Sequence, residues 1–204
     1  MLDEINKPTI RERLKEQLND FTGIFLIREM LLPDVSPMSV RLELASLAKM
    51  GYIIRLARGV YYKPPVSSET HKAILPNPTD VAKIVAKKQS HHIIPCMEQS
   101  AYLTGLDGFA EKPYVWLTDA TTGSLKLYKG PVLYFVHTRE SRLFTFKSET
   151  MRNLSNGLRY IGSQNITEKE ERIVRKHLAT VSKDDFLEDL PKCPEWVRNL
   201  MISA

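Results

Sequence analysis

Apolar positions in the N-terminal third of the chain recur first at helical spacing and then switch to alternation. From Pro8 to Asn19, Ile10, Leu14 and Leu18 return every fourth residue and share one helical face, with Pro8 suited to the first turn. A second helix is predicted over Gly23 to Leu32, capped by Thr22, carrying Ile24, Phe25, Ile27, Met30 and Leu31, and broken by Pro33-Asp34. A third opens at Ser36, a good N-cap, with Pro37 at the first helical position. Val40, Leu44, Leu47 and Ala48 form its apolar face, Ser39, Arg41, Leu42, Ser46 and Lys49 fall mainly elsewhere, and Gly51 ends it in the left-handed conformation. Tyr52 to Leu56 then alternates as a strand, Ala57-Arg58-Gly59 turns, Val60 to Lys63 returns, and Pro64-Pro65 stops the run.

Three helices followed by a hairpin is the layout of a winged helix-turn-helix, in which the third helix enters the major groove and the hairpin is the wing. Val66 to Pro78 is weakly periodic and reads as a linker or extended crossover. Thr79 caps a predicted helix over Asp80 to Lys88, with Val81, Ile84 and Val85 inward, and Met97 to Leu103 forms another, closed by Gly105. From Pro113 the period becomes two, in YVWLTDA, SLKLYKG, VLYFVHT and RLFTF, which predicts a short antiparallel sheet. Helical spacing returns over Glu149 to Tyr160, Glu168 to Leu178, Lys183 to Leu190 and Pro194 to Ser203. The expected fold class is α+β: a winged helix-turn-helix at 1–65, a linker at 66–78, and a mixed α+β domain with a small antiparallel sheet at 79–204.

With 204 residues and 43% hydrophobic content, the chain has room for one large core or two small ones. No apolar window is long enough for a membrane span, the N-terminus lacks the apolar stretch of a secretory signal, and Cys96 and Cys193 form no CxxC. A cytoplasmic location is the default expectation. The net charge of +5 is a mild signal, but its distribution is informative. Ser36 to Pro65 holds five cations and one acid, whereas the preceding 35 residues hold five cations and seven acids.

That local excess directs attention to the third helix and the wing. Ser36, Ser39, Arg41 and Ser46, with Met38 and Leu42, are presented by the helix, where serine and arginine contact phosphates and arginine binds guanine bidentately. On the wing, Arg55 and Arg58 are joined by Tyr61 and Lys63, which share one face of their strand, and Arg58 sits at the tip. The alternatives are an ordinary solvated helix face, a hairpin edge kept soluble by its cations, and a winged helix that contacts protein. His91-His92 has no partner at metal-ligand spacing, and GxxxxGK[ST], GxGxxG and GxSxG are all absent from the sequence. No catalytic residue, metal ligand or cofactor is therefore expected. Lys126, Lys129, Arg139, Arg142, Lys147, Arg152 and Arg159 form either a second basic surface or part of a mixed one, since Val66 to Ala204 holds 19 Lys and Arg against 16 Asp and Glu.

The chain also resembles the AbiEi-type antitoxins of bacterial abortive-infection toxin–antitoxin systems. The residues that carry the likeness are Val40-Arg41 and Leu47, then Gly51-Tyr52-Ile53 and Arg55-Leu56-Ala57-Arg58-Gly59-Val60-Tyr61-Tyr62. Ile94-Pro95, Ala101, Leu103, Gly105-Leu106, Trp116-Leu117-Thr118 and Pro194-Glu195-Trp196-Val197 continue it, while Cys96-Met97-Glu98-Gln99 departs from the small residues frequent there. The resemblance implies a winged helix that binds inverted repeats in its own double-stranded promoter DNA. It also implies a C-terminal domain needed for antitoxicity and a cognate nucleotidyltransferase-like toxin, counteracted with or without direct contact. A winged-helix regulator without a toxin, and a module that neutralises a toxin by direct binding, are the alternative functions.

Overall fold

The computed structural model describes residues 8–65, 74–106, 114–128 and 130–204, over which the chain is α+β, with eight α-helices and seven strands among the described residues. It divides into two units, Met1–Gln89 with Leu125–Val132, and Ser90–Ser124 with Leu133–Ala204. The division differs from the boundaries expected from sequence, because the helix at 78–88 and the segment 125–132 group with the N-terminal unit. Residues 66–73 of the expected linker lie outside the described residues.

In the N-terminal unit, α1 (Ile10–Asn19) begins with a reciprocal cap: Thr9 Oγ1 accepts the Glu12 N–H, and the Glu12 carboxylate accepts the Thr9 N–H. The segment expected as a second helix is instead a strand, β1 (Gly23–Leu26), followed by one 3-10 turn at Ile27–Met30. Gly23 has φ of +116°, outside the helical region, so the chain does not enter a helix there. Ile24, Phe25 and Leu26 are all buried, and pairing with another strand satisfies their backbone groups.

The helix α2 (Pro37–Lys49) forms as its sequence predicts: Ser36 Oγ accepts the Ser39 N–H at 3.1 Å, and Val40, Leu44 and Leu47 are fully buried. The hairpin of β2 (Ile54–Ala57) and β3 (Val60–Lys63) turns at Gly59, whose φ of +77° favours glycine, with a bulge between Arg55 and Ala57. Both ladders are antiparallel and the sheet order is β1-β3-β2. This succession of helix, strand, short turn, helix and hairpin is compatible with a winged helix. One core unites Leu14 and Leu18 of α1, Phe25, the apolar stripe of α2, Ile53 and Tyr61. A further helix, α3 (Pro78–Lys88), completes the unit and is capped by Asn77 rather than Thr79, with Asn77 Oδ1 accepting the Thr79 N–H at 2.9 Å.

After α3 the chain forms β4 (Ile93–Pro95), α4 (Met97–Thr104), β5 (Val115–Thr118), β6 (Gly123–Lys126), β7 (Val132–His137) and α5 (Glu149–Ile161), then α6 (Glu168–Leu178), α7 (Lys183–Asp189) and α8 (Glu195–Ser203). The sheet of these strands has the order β4-β5-β7-β6; β4 and β5 are antiparallel, and β5 and β7 add a parallel ladder. The run RLFTF is not a strand but a 3-10 turn at Ser141–Phe144 that buries Leu143, its carbonyls engaged by local turn bonds such as Thr145 N–H to Arg142 O at 3.1 Å. The helix α5 is the centre of this core, with Met151, Leu154 and Leu158 fully buried. Its Gly157 lets α4 approach closely, since a Cβ at that position would lie 3.0 Å from Ala101 Cα.

Asp189, at the end of α7, is fully buried and holds the start of α5. It accepts the Lys147 and Ser148 N–H groups at 2.9 and 2.8 Å and an Nζ–H of Lys192 at 2.8 Å. Burial works to raise its pKa, but these donors together bring it below the ordinary aspartate value. The stabilisation is therefore present above the unfolded-state pKa of about 3.9 and is lost as pH falls through and below that value. Urea unfolding is expected to show that Asp189→Ala costs about 3 kcal/mol at neutral pH, and that the variant loses less stability than the wild type between neutral pH and acid.

Candidate nucleic-acid interface

The N-terminal unit carries an open groove of about 600 Å³. Pro37, Arg41 and Ala45 of α2 form one wall, and Ile27, Arg28 and Leu31 on and beside the 3-10 turn form another. Arg55, Arg58, Gly59 and Tyr61 of the hairpin, with Val85, Gln89 and Leu125, complete it. Four of the lining residues are arginines and none is an acid.

The state of the other cations in the unit makes this cluster informative. Arg11 pairs with Glu43, Arg13 with Asp34 at 2.6 Å, and Lys88 with Glu29 at 2.5 Å. Among the described residues, none of Arg28, Arg41, Arg55 and Arg58 forms an ion pair. Glu29 adjoins Arg28 in sequence, yet its carboxylate is taken by Lys88 and by the Leu26 N–H at 2.7 Å. Burial pushes its pKa upward, and the bonds from Lys88 and Leu26, with the nearby charges of Lys88 and Arg28, bring it below the usual range. The folded unit thus presents guanidinium groups from three elements around one concavity, none of them in an ion pair among the described residues, an arrangement that suits a polyanion or an extended anionic ligand.

The fold positions these groups through its buried aromatic residues. Tyr61 is 2% exposed and stacks on Phe25 with ring centroids 5.7 Å apart and an interplanar angle of 19°. That contact fixes β3 on β1, and β3 carries β2 with Arg55 and the turn with Arg58. Ile27 N–H donates to Gly59 O at 3.1 Å, which ties the turn to the segment bearing Arg28.

Three of the eight residues expected to touch DNA, Arg41, Arg55 and Arg58, meet at the groove with their charges exposed. The remaining five are placed otherwise. Tyr61 forms part of the groove floor but is a core residue, and burial raises its hydroxyl pKa. Lys63, on the same strand face, is also turned inward: its Nζ lies 3.4 Å from the Tyr52 ring centroid and donates to Tyr52 O at 3.2 Å. Burial, followed by the charge of Lys15, holds its pKa below the ordinary lysine value. The alternation that put Tyr61 and Lys63 on one face was right in period, and the face is the inner one because Tyr61 packs with Phe25 and the apolar residues of α1 and α2. Ser46 faces α1 and accepts from Arg11 Nη2 at 3.2 Å. Ser36 and Ser39 bond to each other through their hydroxyls at 2.8 Å at the start of α2. Arg28 was not expected in the site; a lone cation inside the apolar run Ile24 to Leu32 was its one sequence signal.

Elsewhere the candidate groups are engaged. His92 Nδ1 lies 2.6 Å from Asp119 Oδ2, and this contact, together with the His92 N–H, lowers the Asp119 pKa. Cys96 caps α4 by accepting the Gln99 N–H, and burial raises its thiol pKa. Among the described residues no group of three or more His, Cys, Asp or Glu is placed to hold a metal ion. Of the C-terminal cations, read as either a second basic surface or part of a mixed one, Arg142 and Arg159 pair with Glu140, Lys147 with Glu188, and Arg152, itself buried, with Glu149. Lys129 lies outside the described residues.

The burial pattern separates structural from surface roles by stability. Tyr61→Ala is expected to destabilise the N-terminal unit by about 3–5 kcal/mol. Arg55→Ala and Arg58→Ala are expected to change stability by no more than about 0.5 kcal/mol, as read from urea unfolding of each variant.

Among the described residues no helix is long and apolar enough to cross a membrane. No curated protein and no solved structure matches the chain. A family model described as a family of unknown function matches residues 9–186, which spans the groove-bearing unit and most of the C-terminal one. The chain therefore belongs to that family, DUF6088.

Proposed function

We propose that the protein is a cytoplasmic DNA-binding antitoxin that occupies inverted repeats in its own promoter, represses its operon, and counteracts a cognate nucleotidyltransferase-type toxin. It acts by binding rather than by catalysis and uses no cofactor. The observation that carries the DNA half is the acid-free groove with Arg28, Arg41, Arg55 and Arg58 on its walls. Duplex DNA offers one negative charge per about 1.7 Å of axis, and cations that neutralise phosphates release condensed counterions. A helix flanked by a cationic hairpin fits this ligand, because the helix reaches base edges while the hairpin holds phosphates. The toxin half is supported by the sequence resemblance of the wing and the later landmarks to AbiEi-type antitoxins.

The test is fluorescence anisotropy of the full chain with its own upstream promoter DNA and a scrambled control, at two salt concentrations. Tight, salt-sensitive and sequence-selective binding is expected. Weak, equal binding to both duplexes would favour a module that neutralises a toxin by direct contact. Selective binding by a protein whose gene has no nucleotidyltransferase-like neighbour would favour a regulator without a toxin. Arg58→Ala is expected to weaken binding and to lower the slope of log affinity against log salt by about one unit; an unchanged affinity removes Arg58 from the interface.

A further inference from the structure

The outward stripe of α2 has an unusual composition for a surface helix. Met38, Arg41, Leu42, Ala45 and Lys49 succeed one another at helical spacing on the side opposite the buried Val40, Leu44 and Leu47. Met38 is 59% exposed and Leu42 is 61% exposed. The core of the unit does not use either of them, so folding alone gives no reason for two large apolar side chains in water at adjacent turns. The stripe contains no Asn, Gln, Asp or Glu that could pair with a base edge. The serines of the helix do not supply this chemistry: Ser36 and Ser39 bond to each other, and Ser46 accepts from Arg11.

Resting on the DNA-binding reading above, we infer that α2 reads the C5-methyl groups of thymine through Met38 and Leu42. The methyl group is the one apolar mark in the major groove, and apolar side chains are its chemical complement. Charge selects this occupant over an apolar protein surface, because Arg41 and Lys49 stand in the same stripe and Arg41 opens onto the arginine groove. RNA is disfavoured twice: its deep, narrow major groove does not admit side chains, and uracil has no methyl to read. Thymine positions then add base discrimination through their methyl groups, beside whatever Arg41 and Lys49 contribute at phosphates or guanines.

The experiment uses the full chain and the DNA immediately upstream of its own coding sequence, amplified once with dTTP and once with dUTP. The two fragments share every base pair and differ in the thymine methyl groups. Burial of two methyl groups predicts about tenfold tighter binding to the thymine fragment. The double variant Met38→Ala, Leu42→Ala is expected to bind both fragments equally and to melt with the wild type, since the side chains it loses are exposed. Equal wild-type binding to the two fragments overturns methyl readout and leaves DNA binding standing. A thymine preference that persists in the double variant also overturns it, because the methyl groups would then act through DNA shape. Binding to neither fragment removes both the inference and the reading on which it rests.

Discussion

The stack of Tyr61 on Phe25 is the contact on which the N-terminal unit depends. It joins the central strand β3 to β1 at the point where both face α1 and α2, so one pair of rings links the sheet to the helical layer. Because β3 is paired on both sides, its position sets that of β2, and the turn between them is placed with it. Arg55 and Arg58 are therefore located by an interaction that involves no cation. Burial of large aromatic surface supplies the free energy, and the offset ring geometry supplies direction. Charged groups placed this way need no partner to hold them, which frees them for a ligand.

The contrast between paired and unpaired cations arises from that arrangement. Arg11, Arg13 and Lys88 each have a carboxylate, and those pairs join α1 to α2, α1 to the loop before α2, and α3 to the 3-10 turn. Exposed pairs of this kind contribute little to stability, so their main consequence here is to engage acids of the unit away from the groove. The groove keeps four guanidinium groups with no ion pair among the described residues, a lining suited to an anionic ligand. The C-terminal unit uses its charges differently. Asp189 is buried with two backbone donors and Lys192, and Arg142 and Arg159 are matched by Glu140. There, the buried carboxylate holds the start of α5, and the two arginines are paired locally.

Several helices were legible from caps and periodicity, although the same signals at Thr22 to Leu32 met a strand and the Thr79 cap fell to Asn77. The helix opening at Ser36 has its cap, its proline and its buried stripe where the sequence places them. The segment Gly23 to Met30 was not legible, because a short apolar run satisfies helical and extended patterns alike and only a pairing partner distinguishes them. The same ambiguity turned RLFTF from an expected strand into a 3-10 turn. In the site, sequence located the charge-rich region and three of its arginines. It could not separate Lys63 from Arg55 and Arg58, because strand alternation assigns residues to two faces without saying which one meets the core.

The sequence by itself therefore determined the α+β class, the capped helix opening at Ser36, the hairpin with its Gly59 turn, and the concentration of positive charge between Ser36 and Pro65. These rest on local rules, in which a residue's neighbours in the chain decide its conformation. Tertiary structure alone decided that Tyr61 and Lys63 are core residues, that Arg28 joins Arg41, Arg55 and Arg58 around one groove, and that Glu29 is engaged by Lys88. Each of those outcomes depends on which distant segments share space, and burial and charge pairing act on proximity in space rather than on proximity in sequence.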